Sequence, residues 1–158
     1  MKSKAIICVD DEKVILNSLK MQLSMYFSQN FSIETAENGQ EAIELFQELR
    51  ENDVDIPVII ADYLMPGLKG DDLFIKLHKI ASKTLKILLT GHANVDAVGR
   101  IVNEANLYRY IPKPWDKKDL ILTIKEAVKS YSLEKTVCSL INISHDISAT
   151  LEIQKLLD

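Results

Sequence analysis

Acidic, hydroxyl and amino side chains occur directly after short apolar runs of this sequence. Asp10 and Asp11 follow the run AIICV, Asp62 follows VIIA, Thr90 follows LKILL, and Lys113 closely follows YRYI. If these runs are parallel strands of one sheet, their carboxyl ends meet at one edge, where open α/β sheets place their sites. We therefore expect these side chains to share one crevice.

Carboxylates that share a crevice repel each other, so Asp10, Asp11 and Asp62 need a cation to neutralise them. Oxygen ligands without His or Cys nearby are typical of a hard ion, Mg²⁺ or alternatively Mn²⁺. A carboxylate beside such an ion can attack phosphorus and form an aspartyl phosphate. The ion, the Lys113 ammonium and the Thr90 hydroxyl can then contact the phosphoryl oxygens. These residue types predict Mg²⁺-dependent phosphoryl chemistry.

Each of these residues also has an ordinary structural interpretation. Asp10 and Asp11 are typical of a helix N-terminus, and Asp62 is typical of a turn. Thr90 precedes a glycine, which is typical of a strand-end turn, and Lys113 lies between two prolines as a loop residue can. Their joint placement after separate runs is what these interpretations explain poorly, so the functional hypothesis is favoured.

The elements between the polar residues alternate regularly. Helical spacing of apolar residues separates the runs, for example at Ile15, Leu19, Leu23 and Phe27. Repeated strand–helix units predict right-handed crossovers and a parallel sheet covered on both faces. The predicted strands are the runs Ala5–Val9, Ile33–Ala36, Val58–Ala61, Leu85–Leu89 and Tyr108–Ile111. The fold class is α/β, a doubly wound parallel sheet.

The composition restricts the class of protein. The chain of 158 residues (17.9 kDa) has 47% apolar residues, enough for one domain with a short appendage. Its formal charge of −4 gives no support for nucleic-acid binding. The apolar runs are too short to span a membrane, and two acids interrupt any signal-peptide pattern. Cys8 and Cys138 are too few for a zinc site or disulfide framework. We expect a cytoplasmic protein.

Four ordered motifs, CVDDE, ADYLMPGLKGDDL, ILLTGHA and YRYIPKPW, resemble the receiver domain of two-component response regulators over residues 4–130. The resemblance implies a five-stranded sheet of order 2-1-3-4-5 with five helices. It implies that Asp62 is the phosphoacceptor. It also implies that Asp10 and Asp11 bind Mg²⁺, with Asp11 the direct ligand, together with Asp62 and the backbone carbonyl of Leu64.

The resemblance assigns further roles around the acceptor. Thr90 is the switch hydroxyl, Lys113 contacts the phosphoryl group, and Tyr110 is the aromatic switch that rotates inward. The Lys113–Pro114 peptide is expected to be cis. The side chains of Leu64 and His92 are expected to tune the lifetime of the phosphorylated state. Pro112 is a departure from the family pattern, because it places a second proline beside the lysine.

The implied function is a switch rather than an enzyme with turnover. A histidine kinase or phosphotransfer protein would phosphorylate Asp62, and the altered surface would control a downstream output domain. One alternative is a Mg²⁺-dependent phosphatase, which needs a second Asp where Leu64 stands. Another is a receiver-like scaffold that binds partners without phosphorylation. Nucleotide binding is disfavoured because no Gly-rich phosphate loop follows any run.

The tail, residues 131–158, is expected to be a helical linker after a receiver at 1–130. The sequence has no Gly or Pro after Pro114, so the last helix can continue toward the end. An apolar seam at steps of four and three predicts a homodimer through a coiled coil, at Leu133, Val137, Leu140, Ser144, Ile147 and Leu151. INISHDISATLEIQKLLD resembles the opening helix of a GAF domain, which would make the tail the start of an output domain. His145–Asp146 is a weaker match to a phosphorylated histidine.

Overall fold

The structure is a computed structural model that describes residues 2–91 and 94–157, with side chains up to residue 141 except residue 139. Strands and helices alternate along the chain. The strands are β1 Lys4–Val9, β2 Ser32–Ala36, β3 Asp55–Ala61, β4 Leu85–Thr90 and β5 Leu107–Pro112. The helices are α1 Lys13–Phe27, α2 Gly39–Glu51, α3 Gly70–Ile80, α4 Val95–Ala105 and α5 Lys117–Leu157. Each predicted strand is present, extended by one to three residues.

The strands form one parallel sheet of order β2-β1-β3-β4-β5, which confirms the predicted fold. Cys8 of β1 is in register with Thr35 on one side and Ile60 on the other. The chain crosses from β1 to β2 on one side and returns to β3 on the other side of β1. This reversal opens the crevice beyond the carboxyl ends of β1 and β3.

Two apolar layers cover the two faces of the sheet. The layer under α1 and α5 includes Leu19, Leu23 and Ile124, and the layer under the other three helices includes Phe46 and Phe74. Each of these side chains is at most 1% exposed. The central strands are apolar on both faces because both faces are buried, which is the pattern of a doubly wound sheet.

Helix α5 has 41 residues, which confirms the predicted extension of the last helix. At 1.5 Å per residue it is about 60 Å long, so its second half exceeds the length of the sheet. It stays attached to the domain beyond residue 130. The Tyr131 hydroxyl donates to Asp55 at 2.7 Å, and Lys135 Nζ lies 3.1 Å from the same carboxylate.

Strand β3, which ends beside Asp62, therefore begins at Asp55, the residue that α5 contacts. Burial alone would raise the pKa of Asp55, but the hydrogen bonds from Tyr131 and Lys135 outweigh it and hold that pKa below its ordinary value. The domain boundary at residue 130 remains a prediction, because α5 passes through that position without a break.

Within the described residues, no helix combines the length and the apolar composition that crossing a membrane requires. Both cysteines are free thiols. Cys8 is fully buried in β1, whereas Cys138 is half-buried on α5.

Candidate functional site

The carboxylates of Asp10, Asp11 and Asp62 converge in the crevice beyond β1 and β3. One carboxylate oxygen from each lies within 4.8 Å of the others. Asp10 and Asp62 are 1% and 7% exposed, while Asp11 is exposed. Oxygen donors this close, two of them buried and one open to solvent, fit a hard divalent cation with water in its remaining positions.

Lys113 neutralises part of this cluster. Its Nζ lies 2.6 Å from Asp10 Oδ2 and 3.4 Å from Asp62 Oδ2. The remaining oxygens accept backbone hydrogen bonds: Glu12 N–H donates to Asp10 Oδ1 at 2.9 Å, and Tyr63 N–H donates to Asp62 Oδ1 at 2.8 Å. The Oδ2 atoms therefore point toward the shared centre of the site.

Burial and charge oppose each other in the pKa values of this site. Burial raises the pKa of Asp10 above its ordinary value, and the hydrogen bonds from Lys113 and Glu12 offset this only in part. Burial would lower the pKa of Lys113, but the Asp10 hydrogen bond and the charges of Asp10 and Asp62 raise it overall. Lys113 is thus held as an ammonium, while Asp10 would gain from an added positive charge.

Thr90 and Tyr110 lie together at the end of β4. Thr90 is fully buried, and its backbone carbonyl accepts the Lys113 N–H at 3.1 Å. The same carbonyl lies 3.4 Å from the Tyr110 hydroxyl, which donates to it. Tyr110 is half-buried. The Lys113–Pro114 peptide is cis. The structure thus brings the predicted hydroxyl, lysine and aromatic residue to one place.

Gly70 supports the backbone around Asp62 and was not identified from the sequence. A Cβ on Gly70 would lie 2.4 Å from the backbone oxygen of Asp62, so any side chain there would displace Asp62. The next residue, Asp71, is buried and accepts from Arg100 of α4 at 3.0 Å. The motif KGDD carried a signal for this contact, because a glycine that opens a helix often allows close backbone approach.

Leu64 lies two residues beyond Asp62, with a side chain that is 41% exposed. This position faces solvent near Asp62, so the side chain can affect the approach of water to that carboxylate. Coordination of a metal by the Leu64 carbonyl remains a prediction. His92 lies outside the described residues, as do the side chains at Ser144, His145, Asp146, Ile147 and Leu151.

Trp115 provides a natural reporter of this site. It is the single tryptophan of the chain and follows the cis Lys113–Pro114 peptide. Its indole Nε1–H donates to Gln22 Oε1 of α1 at 2.9 Å, and the ring packs on the core under α1 and α5. A change at Lys113 would therefore alter the environment of one identified fluorophore.

The chain is similar to known proteins in sequence and in fold. The chain is 30% identical over 133 residues to the hydrogenase transcriptional regulatory protein HoxA of Cupriavidus necator, covering 84% of this chain and 26% of HoxA. It thus spans about a quarter of that relative.

Two solved structures are similar to this chain. One, from an adenylate cyclase of Rhodopirellula baltica, has a TM-score of 0.77 at 28% identity, covering 89% of this chain and 98% of that one. The beryllofluoride-activated receiver domain dimer of NtrC4 has a TM-score of 0.68 at 28% identity, covering 80% and 98%. The sequence model of the response regulator receiver domain matches residues 6–125. The chain belongs to the response regulator receiver domain family.

Proposed function

We propose that this chain accepts a phosphoryl group on Asp62 and transmits the change through its surface to an output. The observation that carries the proposal is the convergence of the Asp10, Asp11 and Asp62 carboxylates with Lys113 and Thr90 at the carboxyl edge of one sheet. A histidine kinase or a phosphotransfer protein is the proposed donor. The family to which the chain belongs is a signalling domain.

Asp62 is suited to the nucleophilic role because its two oxygens are held differently. Oδ1 is oriented by the Tyr63 N–H, which leaves Oδ2 on the side of Lys113. As Oδ2 forms a bond to phosphorus, the bond from phosphorus to the donor nitrogen or oxygen breaks, and the leaving group carries away the electron pair. The Lys113 ammonium is placed to contact one phosphoryl oxygen and to stabilise its charge.

The acidic cluster fits Mg²⁺, with Mn²⁺ as an alternative. Asp10, Asp11 and Asp62 would hold the ion together with the Leu64 carbonyl. When bound, the ion would supply positive charge against the transferred phosphoryl oxygens and reduce repulsion among the carboxylates.

The switch is proposed to run from Thr90 to Tyr110. A phosphoryl oxygen would draw the Thr90 hydroxyl toward Asp62, and Tyr110 would occupy the space next to it. Tyr110 of β5 already reaches the end of β4, where its hydroxyl donates to the backbone carbonyl of Thr90 at 3.4 Å. A local movement there alters α4 and β5, which is how a small charge change can reshape a surface.

Residues 131–158 lie beyond the receiver and have a proposed role of their own. HoxA, of which the match covers 26%, is a longer transcriptional regulatory protein. We propose that residues 131–158 connect the receiver at 1–130 to an output domain and pair with a second copy. On α5, Leu133, Val137 and Leu140 are 57%, 52% and 61% exposed. The NtrC4 receiver domain was likewise solved as a dimer.

Beryllofluoride with Mg²⁺ tests the proposal, because it imitates a phosphoryl group on a carboxylate. We expect saturable binding that changes the Trp115 fluorescence, only when both components are present. A receiver-like scaffold would give no change. A phosphatase would instead hydrolyse a generic phosphate ester with turnover, for which Leu64 provides no acidic proton.

Replacement of Asp11 by alanine should weaken Mg²⁺ binding by about ten- to a hundredfold, because one charged ligand is lost. Titration of Trp115 fluorescence with Mg²⁺ measures this affinity. Glu44→Ala on the exposed surface of α2 removes the same charge away from the site and serves as the control. If the affinity of Asp11→Ala equalled that of the control, Asp11 would be a helix-start residue and not a ligand.

Replacement of Leu64 by asparagine should shorten the lifetime of the phosphorylated state severalfold. Leucine offers no hydrogen bond to an attacking water, whereas an amide can orient one. The decay of labelled protein after removal of the phosphodonor gives the rate. Leu64→Met keeps an apolar side chain and should decay like the original chain. Equal decay rates for the asparagine and methionine variants would refute the role of this side chain.

A further inference from the structure

A thiol and an amine lie in contact at the end of the sheet opposite the acidic cluster. Cys138 Sγ on α5 is 2.8 Å from Nζ of Lys83, which lies in the connection between α3 and β4. The other lysine–sulfur contact of the described residues, between Lys117 and Met25, is 3.9 Å long. Lys83 donates a hydrogen bond in this contact, and once it loses a proton its nitrogen is within attacking distance of the sulfur.

Both side chains line a cavity of about 530 Å³ between α5 and the amino-terminal ends of the strands. Lys83 is 47% exposed at its side chain, and Cys138 is half-buried. A small oxidant in solution can therefore reach the sulfur. The helix face that carries Cys138 also carries Tyr131 and Lys135, since these positions are spaced by four and three residues.

The second cysteine provides an internal contrast. Cys8 is fully buried in β1, and burial raises the pKa of its thiol to about 12. The thiolate is the form that reacts with oxidants, so Cys8 is chemically inert in the folded chain. Cysteine oxidation of the native protein should therefore concern Cys138.

We propose that Cys138 and Lys83 form a reversible covalent sulfur–nitrogen link under oxidising conditions. A peroxide first oxidises the Cys138 thiol by two electrons to a sulfenic acid and is itself reduced to water or the corresponding alcohol. The Lys83 ammonium, whose pKa is raised by Cys138 and Glu134, first loses one proton to solvent. The free amine then attacks the sulfenic sulfur, the S–O bond breaks, and the oxygen leaves as water with a second proton from the nitrogen. The product is a sulfenamide, which a thiol reductant cleaves back to thiol and amine.

The link would tie α5 to the body of the domain. In the reduced chain, α5 beyond residue 130 is held by the contacts of Tyr131 and Lys135 with Asp55. A covalent bond at Cys138 adds a fixed point close to where the helix extends past the sheet. The direction of the following residues would then depend on oxidation as well as on Asp62. This inference goes beyond the proposed phosphorylation, and its test does not depend on labelling of Asp62.

Intact-mass analysis of the full chain after treatment with hydrogen peroxide tests the link. We expect a monomer about 2 Da lighter than the reduced chain, beside any steps of about 16 Da from oxidation of the exposed Met21 and Met25, and dithiothreitol should restore those 2 Da. Trypsin should release a linked pair of peptides, residues 80–86 joined to residues 136–155, with no cleavage after Lys83. The linked chain should also unfold at a higher temperature than the reduced chain, because the bond closes a long loop.

Two variants and one matched control test whether Lys83 and Cys138 form the link. Lys83→Arg keeps the charge and Cys138→Ser keeps a small polar side chain, and neither should form the linked pair. Lys79→Arg, which changes an exposed lysine at the end of α3, should form it like the original chain. A gain of about 32 Da on the methionine-free peptide of residues 136–155, without linked peptides, would show simple oxidation of Cys138 to a sulfinic acid and would overturn the proposal. A disulfide-linked dimer, a Cys8–Cys138 disulfide or a linked pair about 14 Da heavier would also overturn it.

Discussion

The Asp62→Asn variant should keep its fold and lose all labelling by a small phosphodonor such as acetyl phosphate. An amide has no charged oxygen with which to form an acyl phosphate, so labelling should fall to background. Asn also retains the shape of the side chain and can accept the Tyr63 N–H that Asp62 Oδ1 accepts at 2.8 Å. Separation of labelled from unlabelled protein on a phosphate-affinity gel measures the effect.

The control for this variant is Asp53→Asn. Asp53 lies just before β3 at the opposite end from Asp62, is exposed, and has φ of 59°, which asparagine tolerates. It should be labelled as well as the original chain. If Asp62→Asn were labelled as strongly as Asp53→Asn, another residue would be the phosphoacceptor.

Cutting the chain after Ser130 should convert a dimer into a monomer. The apolar stripe formed by Leu133, Val137 and Leu140 cannot be covered by its own domain, because Tyr131 and Lys135 occupy the face of α5 that contacts the body. Each leucine-sized side chain that becomes buried contributes about 1.5–3 kcal/mol. A parallel pair of helices buries the stripe and leaves the two receivers outside, and the costs of association keep the affinity modest.

Sedimentation at micromolar concentration measures this equilibrium. Leu140→Glu places a charge within the stripe and should also give a monomer, with the rest of the chain intact. Met21→Glu makes the same kind of change at an exposed position of α1, where the methionine is 64% exposed, and should remain dimeric. A monomer of the original chain, or a dimer of the truncated one, would show that the stripe is not the interface.

Much of the fold could be predicted because local patterns and long-range packing agree. The central strands appear in the sequence as short apolar runs because both their faces are buried, whereas the edge strands β2 and β5 are only partly buried. Each helix appears as an apolar periodicity. The positions of Asp10, Asp62, Thr90 and Lys113 followed from one topological rule about the carboxyl ends of parallel strands. Their proximity was thus predictable from the sequence.

Contacts that depend on three-dimensional packing were not predictable. Lys86 occupies β4, where a lysine would be expected at the surface, yet it is 1% exposed. Its Nζ lies 3.0 Å from His78 Nδ1 and donates to the Thr84 carbonyl at 2.9 Å, and burial lowers its pKa to about 8. The hydrogen bond from Tyr131 to Asp55 joins residues that are 76 positions apart, and no local sequence pattern predicts such a pair.

Chemical location of the phosphoryl group tests the assignment of Asp62 as the phosphoacceptor most directly. The chain is labelled with acetyl phosphate and Mg²⁺, reduced with borohydride, which converts an aspartyl phosphate to homoserine, and digested with trypsin. The peptide of residues 51–69 contains Asp53, Asp55 and Asp62, and fragmentation distinguishes them. We expect homoserine at position 62 alone, and its formation should require Mg²⁺. Homoserine at another aspartate, or its absence from the peptide after successful labelling, would contradict the assignment of Asp62 as the phosphoacceptor.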